Sequence, residues 1–211
     1  MVRPTAIVAS TFLIAILGGC AVGVTHQYDS GTHPDIKATA GTKLGVGVQD
    51  KRLYIVSKQK PESFVGLSRG GFGNTFDVNT ASGNPLADDF AKTLQTALSV
   101  KGVKATAVSL PLGISEIEAI KRLAASGDKA VLIILNEWKA DTYMNTALEY
   151  DVQVIVVDAA GKVLSRKQIA GKDNLGGSVI NPPEHSRNAV PTAFRRKLEE
   201  LFASPEIANV I

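Results

Sequence analysis

The sequence predicts a two-layer α+β sandwich: a mixed sheet with a C-terminal three-stranded antiparallel meander, and helices packed on one face. Three observations predict it. Helix patterns with clear end signals alternate with short strand patterns, a long apolar/polar alternation follows, and a final helix pattern closes the chain. Residues 43–49 (KLGVGVQ) place Leu44, Val46 and Val48 at period two, with Gly45 and Gly47 on the other face, which is a strand. Residues 50–82 are Gly-rich, with LYIV at 53–56 and residues 74–78 as short strands. Between these two runs the stretch KQKPESFVGLSRGGFG lacks a helix period, and so long a structureless segment is often functional. Asn84 as N-cap and Pro85 at the first helical position open a helix. Leu86, Phe90, Leu94 and Leu98 form its apolar stripe. Asp88 and Asp89 suit its positive end, Lys101 its negative end, and Gly102 its stop. Residues 103–108 read as a strand, and Ser115 with Glu118 as a capping box. The helix after that box presents Ile117, Ile120, Leu123 and Ala124 and stops at Gly127.

The meander begins with AVLIIL at 130–135 and continues to Thr142. Leu148, Tyr150, Val152, Val154 and Val156 then alternate with polar residues, as in a strand with one wet face. A turn at 158–161 leads to a returning strand over 162–170. Residues 172–188 read as a polar loop. A last helix over 192–203 carries Phe194, Leu198, Leu201 and Phe202, and Pro205 ends it. No internal repeat is visible.

The chain has 211 residues, 45% of them apolar and 20% charged, enough for one globular domain with a real core. Its net charge of +3 comes from scattered Lys and Arg, so nothing points to nucleic acid. A single cysteine excludes an internal disulfide, a cysteine zinc site and CxxC redox chemistry. Residues 1–19 have a signal-peptide layout: Arg3 near the start, an apolar run AIVASTFLIAIL at 6–17, then Gly18 and Gly19. The run is too short to remain as a membrane span, which needs about 20 residues. Residues 20–42, rich in Gly, Thr, Ser and Asp, read as a flexible tether, and residues 43–211 as a single domain.

Leu17-Gly18-Gly19-Cys20 resembles the lipobox of bacterial lipoproteins. The resemblance implies cleavage between Gly19 and Cys20, a diacylglycerol thioether on Cys20, and acylation of the new amino group, for example by palmitate. The plain alternative is an ordinary secretory leader that happens to contain a cysteine. Agreement of position, apolar run and sole cysteine favours the lipobox. Several acyl chains make a stable anchor where one is marginal. Ala21, with no Asp at that place, implies the outer membrane with the domain facing the periplasm.

Gly66-Leu67-Ser68-Arg69-Gly70 matches the G-x-S-x-G elbow of serine hydrolases, and His185 lies downstream. The residues that follow, Gly71-Phe72-Gly73-Asn74, do not start a helix, and no acid partners His185. A serine hydrolase is therefore the remote alternative, and a glycine-rich surface loop the plain reading. Asp50-Lys51-Arg52 reads first as a solvated strand end. Its other readings are an ion pair positioning the long loop, or a site facing a partner. Trp138 and Tyr143 either cover the edge of the core or form a contact patch. The candidate partner contacts are thus Asp50, Arg52, Trp138 and Tyr143. His26 and His33 lie in the tether and His185 in a loop, without HExxH spacing, so no metal is expected. No Walker pattern occurs, and neither a cofactor nor a catalytic residue is expected.

Several stretches together are similar to the YajG-like bacterial lipoproteins. They are the lipobox, the V-x-D-x-R pattern of Val48-Gln49-Asp50-Lys51-Arg52, the NPLADDF helix start, and ILNEWKADTY followed by YDVQVIVVDAAGKVL. The likeness covers most of the mature chain in layout; the SFVGLSRGGFGNTFDV segment departs from shorter members. It implies an outer-membrane lipoprotein with an α+β fold. The functional expectation is a lipid-anchored, non-enzymatic binding or accessory module in the periplasm, contacting an envelope protein. The alternative is a regulator of cell-wall synthesis acting through protein contact.

Overall fold

The computed structural model describes residues 23–28 and 33–211. In chain order the elements are β1 (Thr25–His26), β2 (Lys43–Asp50), α1 (Leu53–Val56), β3 (Phe64–Arg69), β4 (Thr75–Thr80), α2 (Leu86–Val100), β5 (Lys104–Ala107), α3 (Glu116–Ala124), β6 (Lys129–Thr142), β7 (Asn145–Asp158), β8 (Val163–Gly177), α4 (Pro182–Ala203) and α5 (Pro205–Ala208). Among the described residues, eight strands form one curled mixed sheet.

Strand β6 organises it. One edge pairs with β7 antiparallel along nearly its whole length, and β7 pairs with β8 to complete the expected meander. The other edge is shared. Residues 129–135 pair with β2 in parallel, and residues 140–142 pair with β3 in parallel. Beyond β2 lies β5; beyond β3 lie β4 and then β1.

Alternation along β2 separates two cores. Leu44, Val46 and Val48 join Val131, Ile133 and Leu135 on the face covered by α2 and α4. That helix layer on one face is the predicted sandwich. On the reverse face Ala130, Leu132, Ile134, Ile155 and Val157 form a smaller core with Ala119 and Leu123 of α3. Gly45 and Gly47 make this second contact feasible. A Cβ on Gly45 would lie 2.6 Å from the Leu123 carbonyl oxygen, and one on Gly47 2.7 Å from Leu123 Cδ2.

Several local signals act as expected. Gly102 ends α2 with φ +82°, a conformation that favours glycine. Ser115 Oγ accepts the Glu118 amide at 3.2 Å and caps α3. Helix α2 starts one residue later than the Asn-Pro signal implies, with Pro85 as N-cap, while the Asn84 carbonyl accepts from Thr80 Oγ1 at 2.7 Å.

Three expectations are corrected. First, the described part of the expected tether is packed into the domain. Val24, His26, Tyr28 and Ile36 are buried, β1 adds to β4 in parallel, and the Thr39 amide donates to the Ile211 carbonyl. Val24, Tyr28 and Ile36 all join the main core, but their spacing follows neither a helix nor a strand period. Second, the long loop is ordered secondary structure. LYIV forms a helical turn instead of a strand, and residues 64–69 are β3, paired antiparallel with β4. Its glycines read as loop signals, yet Gly66 is needed because β3 approaches the Ala140 backbone too closely for a side chain. Third, the segment read as a polar loop is the end of β8 and the start of α4. Asn181 caps α4 by accepting the Glu184 amide at 3.2 Å, while its Nδ2 donates to Glu184 Oε2 at 2.6 Å. Pro182 and Pro183 occupy the first helical positions, where no amide bond is lost, and Pro205 starts α5.

Because the Gly45 contact is with backbone, Gly45→Ala should push α3 outward. It should cost roughly 1–3 kcal/mol, as overpacking usually does, measurable as a lower urea midpoint. An unchanged midpoint would show that α3 does not sit this close.

Candidate functional site

Where β2 stops and β3 has not yet begun, the β6 residues between the two pairings face no strand on that edge. Their backbone groups must still be satisfied. The Asp50-Lys51-Arg52 segment fills this notch. The Lys51 amide makes a last bond to the Leu135 carbonyl at 2.8 Å. Arg52 then turns inward and is fully buried, with Asp50 nearly so. Arg52 Nε and Nη2 donate to the Asp50 carboxylate at 2.9 and 2.6 Å. Its Nη1 donates to the Phe64 carbonyl at 2.6 Å and the Trp138 carbonyl at 3.3 Å, and Nη2 also reaches the Glu62 carbonyl at 3.3 Å. Burial opposes the guanidinium charge, but the hydrogen bonds and charge of Asp50 outweigh it and raise the Arg52 pKa. Tyr54 Oη donates to Trp138 O at 3.2 Å and to Glu137 Oε1.

This corrects the reading of Asp50 and Arg52 as a solvated strand end and as partner contacts. They form the ion pair that positions the following segment. A fork of donors that ties β2, β3 and β6 together has nothing left to offer a partner.

Trp138 is corrected in the same way. Its side chain points into the main core, and Nε1 donates to Tyr28 Oη at 3.0 Å. Tyr28, Phe90 of α2, Trp138 of β6 and Phe194 of α4 pack as one cluster, with Phe90–Phe194 centroids 4.4 Å apart and Phe90–Trp138 centroids 5.3 Å apart. Trp138 therefore joins both helices and the N-terminal segment to the sheet.

Of the four candidate contacts, Tyr143 alone is on the surface, 43% exposed. It lies in the β6–β7 turn, where its amide donates to the Asn145 carbonyl at 3.0 Å. With Met144, Ser68, Arg69, Gly70, Gly71, Val179, Pro182 and Pro183 it lines a shallow hollow of about 310 Å³. At its margin Arg69 Nε donates to Asp141 Oδ1 at 2.8 Å and Nη2 to Oδ2 at 2.5 Å, so the pair is bidentate. This end of the sheet carries the one candidate contact that the structure leaves exposed. The sequence holds its trace in apolar residues set singly or in pairs among turn formers (GGFGN, TYMN, GSVIN).

Ser68 sits within β3, opposite Thr142, with its residue buried. The G-x-S-x-G stretch is thus strand followed by a turn into β4, and not a strand-to-helix elbow. His185 Nε2 lies 3.1 Å from the Leu175 carbonyl. Buried His26 has Nε2 3.4 Å from Ser186 Oγ, whose own hydrogen goes to the Pro183 carbonyl at 2.9 Å. Its Nδ1 has no partner in the core. Burial, and secondarily Arg187, lower the His26 pKa to about 3. Among the described residues no group of three or more His, Cys, Asp or Glu could hold a metal ion, and no helix is long and apolar enough to cross a membrane. Gly19 and Cys20 lie outside the described residues.

No protein-family model and no curated protein matches the sequence. Among solved structures, the chain is similar to a Xanthomonas campestris protein of family DUF330, with a TM-score of 0.56 and 12% identity over 89% of this chain and 97% of that one. Weaker likenesses are to the PelC dodecamer protein of Paraburkholderia phytofirmans, with a TM-score of 0.41 and 12% identity over 84% of this chain and 94% of that one, and to lipoprotein GNA1162 of Neisseria meningitidis, with a TM-score of 0.28 and 14% identity over 72% and 96%. The likeness to the Xanthomonas protein is one of fold.

Two predictions follow from the buried polar groups. Arg52→Met strands the Asp50 carboxylate in the notch and should cost about 3–5 kcal/mol of stability. Arg52→Lys should not restore it, because one ammonium cannot replace the fork. Urea unfolding of both variants measures this, and a Lys variant as stable as the parent would refute the geometry. His26 stays neutral in the folded chain down to about pH 3, whereas unfolded histidine takes up its proton near 6.5. Stability should therefore fall as pH drops through that window, by up to about 1.4 kcal/mol per pH unit for this one proton. His26→Leu should remove that share of the slope, and identical slopes in parent and variant would refute it.

Proposed function

We propose that this protein is a lipid-anchored bacterial envelope lipoprotein, held at the periplasmic face of the outer membrane by acyl chains on Cys20. Its α+β domain is a non-enzymatic binding module for another envelope component. The observation that carries this reading is the sole cysteine placed directly after Leu17-Gly18-Gly19 and the apolar run at 6–17. Kinship with the YajG-like lipoproteins, resting on the stretches quoted above, belongs to the same reading. Binding is favoured over hydrolysis because Ser68 is packed within β3 and His185 is engaged by Leu175.

In the native bacterium the parent chain should incorporate labelled palmitate and fractionate with outer membranes, with a mature N-terminal peptide bearing acyl groups on Cys20. Cys20→Ala should lose all the label. Recovery of the parent in the aqueous fraction, with the leader intact and the thiol free, would overturn the proposal.

A further inference from the structure

Three connections emerge side by side at one end of the sheet, and the register places them there. Ser68 pairs with Thr142 across β3 and β6, Thr142 with Thr146 across β6 and β7, and Asn145 with Gly177 across β7 and β8. The β3–β4 turn, the β6–β7 turn and the β8–α4 connection therefore share this end. Each carries apolar side chains the core does not take up. Phe72 is fully exposed, Ile180 97% and Val179 85% exposed, and Tyr143 and Met144 about half. Their backbones are tied in place: Gly70 N donates to Asn74 O and Gly73 N to Gly70 O, both at 2.8 Å, and Ser178 N to Met144 O at 3.0 Å. Turn geometry asks for the neighbouring Gly and Asn residues; it does not ask for Phe, Met, Val or Ile. The other exposed large apolar residues among those described sit singly or in pairs on α1, α2, α3 and the start of β8. A clustered apolar surface of this kind marks an interaction site.

The entry of the chain lies towards the same end. β1 runs parallel to β4 with Thr25 opposite Asn79, and β4 begins at Thr75 beside this end. Traced backwards, β1 therefore heads towards it. The Gly23 carbonyl accepts from Arg187 Nη2 at 3.4 Å, in the second turn of α4, which itself starts here. Cys20 precedes Gly23 by three residues, a reach of at most about 11 Å.

We infer that this end is a membrane-seating surface: Phe72, Tyr143, Met144, Val179 and Ile180 enter the interfacial layer of the bilayer that holds the acyl chains. The inference rests on the reading of Cys20 as lipidated. A bilayer fits better than a protein groove-binder, because the apolar groups stand on separate turn tips, and tyrosine suits the boundary between lipid and water. The domain then sits against the membrane, and α3 with the β7–β8 turn faces away from it.

The test uses full-length lipidated protein in vesicles of phosphatidylethanolamine and phosphatidylglycerol with brominated acyl chains. Phe72→Trp reports the proposed surface, and Ile117→Trp on α3 reports the far side. Buried Trp138 supplies a background that the parent chain measures. Emission from the Phe72→Trp probe should shift to the blue and be quenched by the brominated lipid, while the Ile117→Trp probe stays water-exposed and unquenched. A water-exposed, unquenched Phe72→Trp probe on acylated protein would overturn the inference and leave the anchor standing. A blue shift without lipid quenching that grows with protein concentration would also overturn it, in favour of a second copy or another protein. The N-terminal mass of the same sample decides the anchor separately, so the two failures are distinguishable.

Discussion

Strand β6 is long enough to serve two different neighbours on one edge, and the gap between them has to be closed. Arg52 closes it. One guanidinium answers the Asp50 carboxylate on β2, the Phe64 carbonyl at the start of β3 and the Trp138 carbonyl on β6. Three strands thereby share one buried charge pair. Such a pair is a poor source of net stability, since desolvation offsets much of the attraction. Its value lies in geometry: a flat fork of donors fits this junction and little else. β3 then continues along β6, and the sheet can carry its three turns at one end.

The aromatic cluster acts on the layer above. Phe90 and Phe194 bring α2 and α4 together over Trp138, and Tyr28 adds the N-terminal segment. This last contact has a functional consequence. A lipid-anchored domain on a free tether could stand away from the membrane. With Tyr28 and Val24 buried, the chain leaves the domain close to the acylation site proposed at Cys20. The anchor, the entry of β1 and the apolar turn tips then act at one end of the molecule. α3 lies on the reverse face of the sheet.

Elements with a regular period were legible in the amino-acid order. The α2 stripe from Leu86 to Leu98, the Ser115 cap of α3 and the alternation from Leu148 to Val156 all specify their structures locally. The leader and the lipidation proposed at Cys20 are likewise read from local order. β3 was not legible, because Gly66 and Gly70 carry turn character and its pairing with Ala140 is distant in the chain. Nor was the start of α4, where Pro182-Pro183 reads equally as loop. The roles of Arg52 and Trp138 were hidden for a related reason: residue type gives a tendency to be exposed or buried, and only the neighbours decide which is realised.

The order of residues thus carried the α+β class, the strand patterns of the meander and the principal helices, since each is written in a pattern only a few positions long. Tertiary structure decided the rest: that the first described residues belong to the core, that Asp50 and Arg52 seal a break in the sheet, and that five scattered apolar residues stand together at one end. Those outcomes depend on which strands become neighbours, and strand pairing joins residues whose separation in the chain carries no local trace.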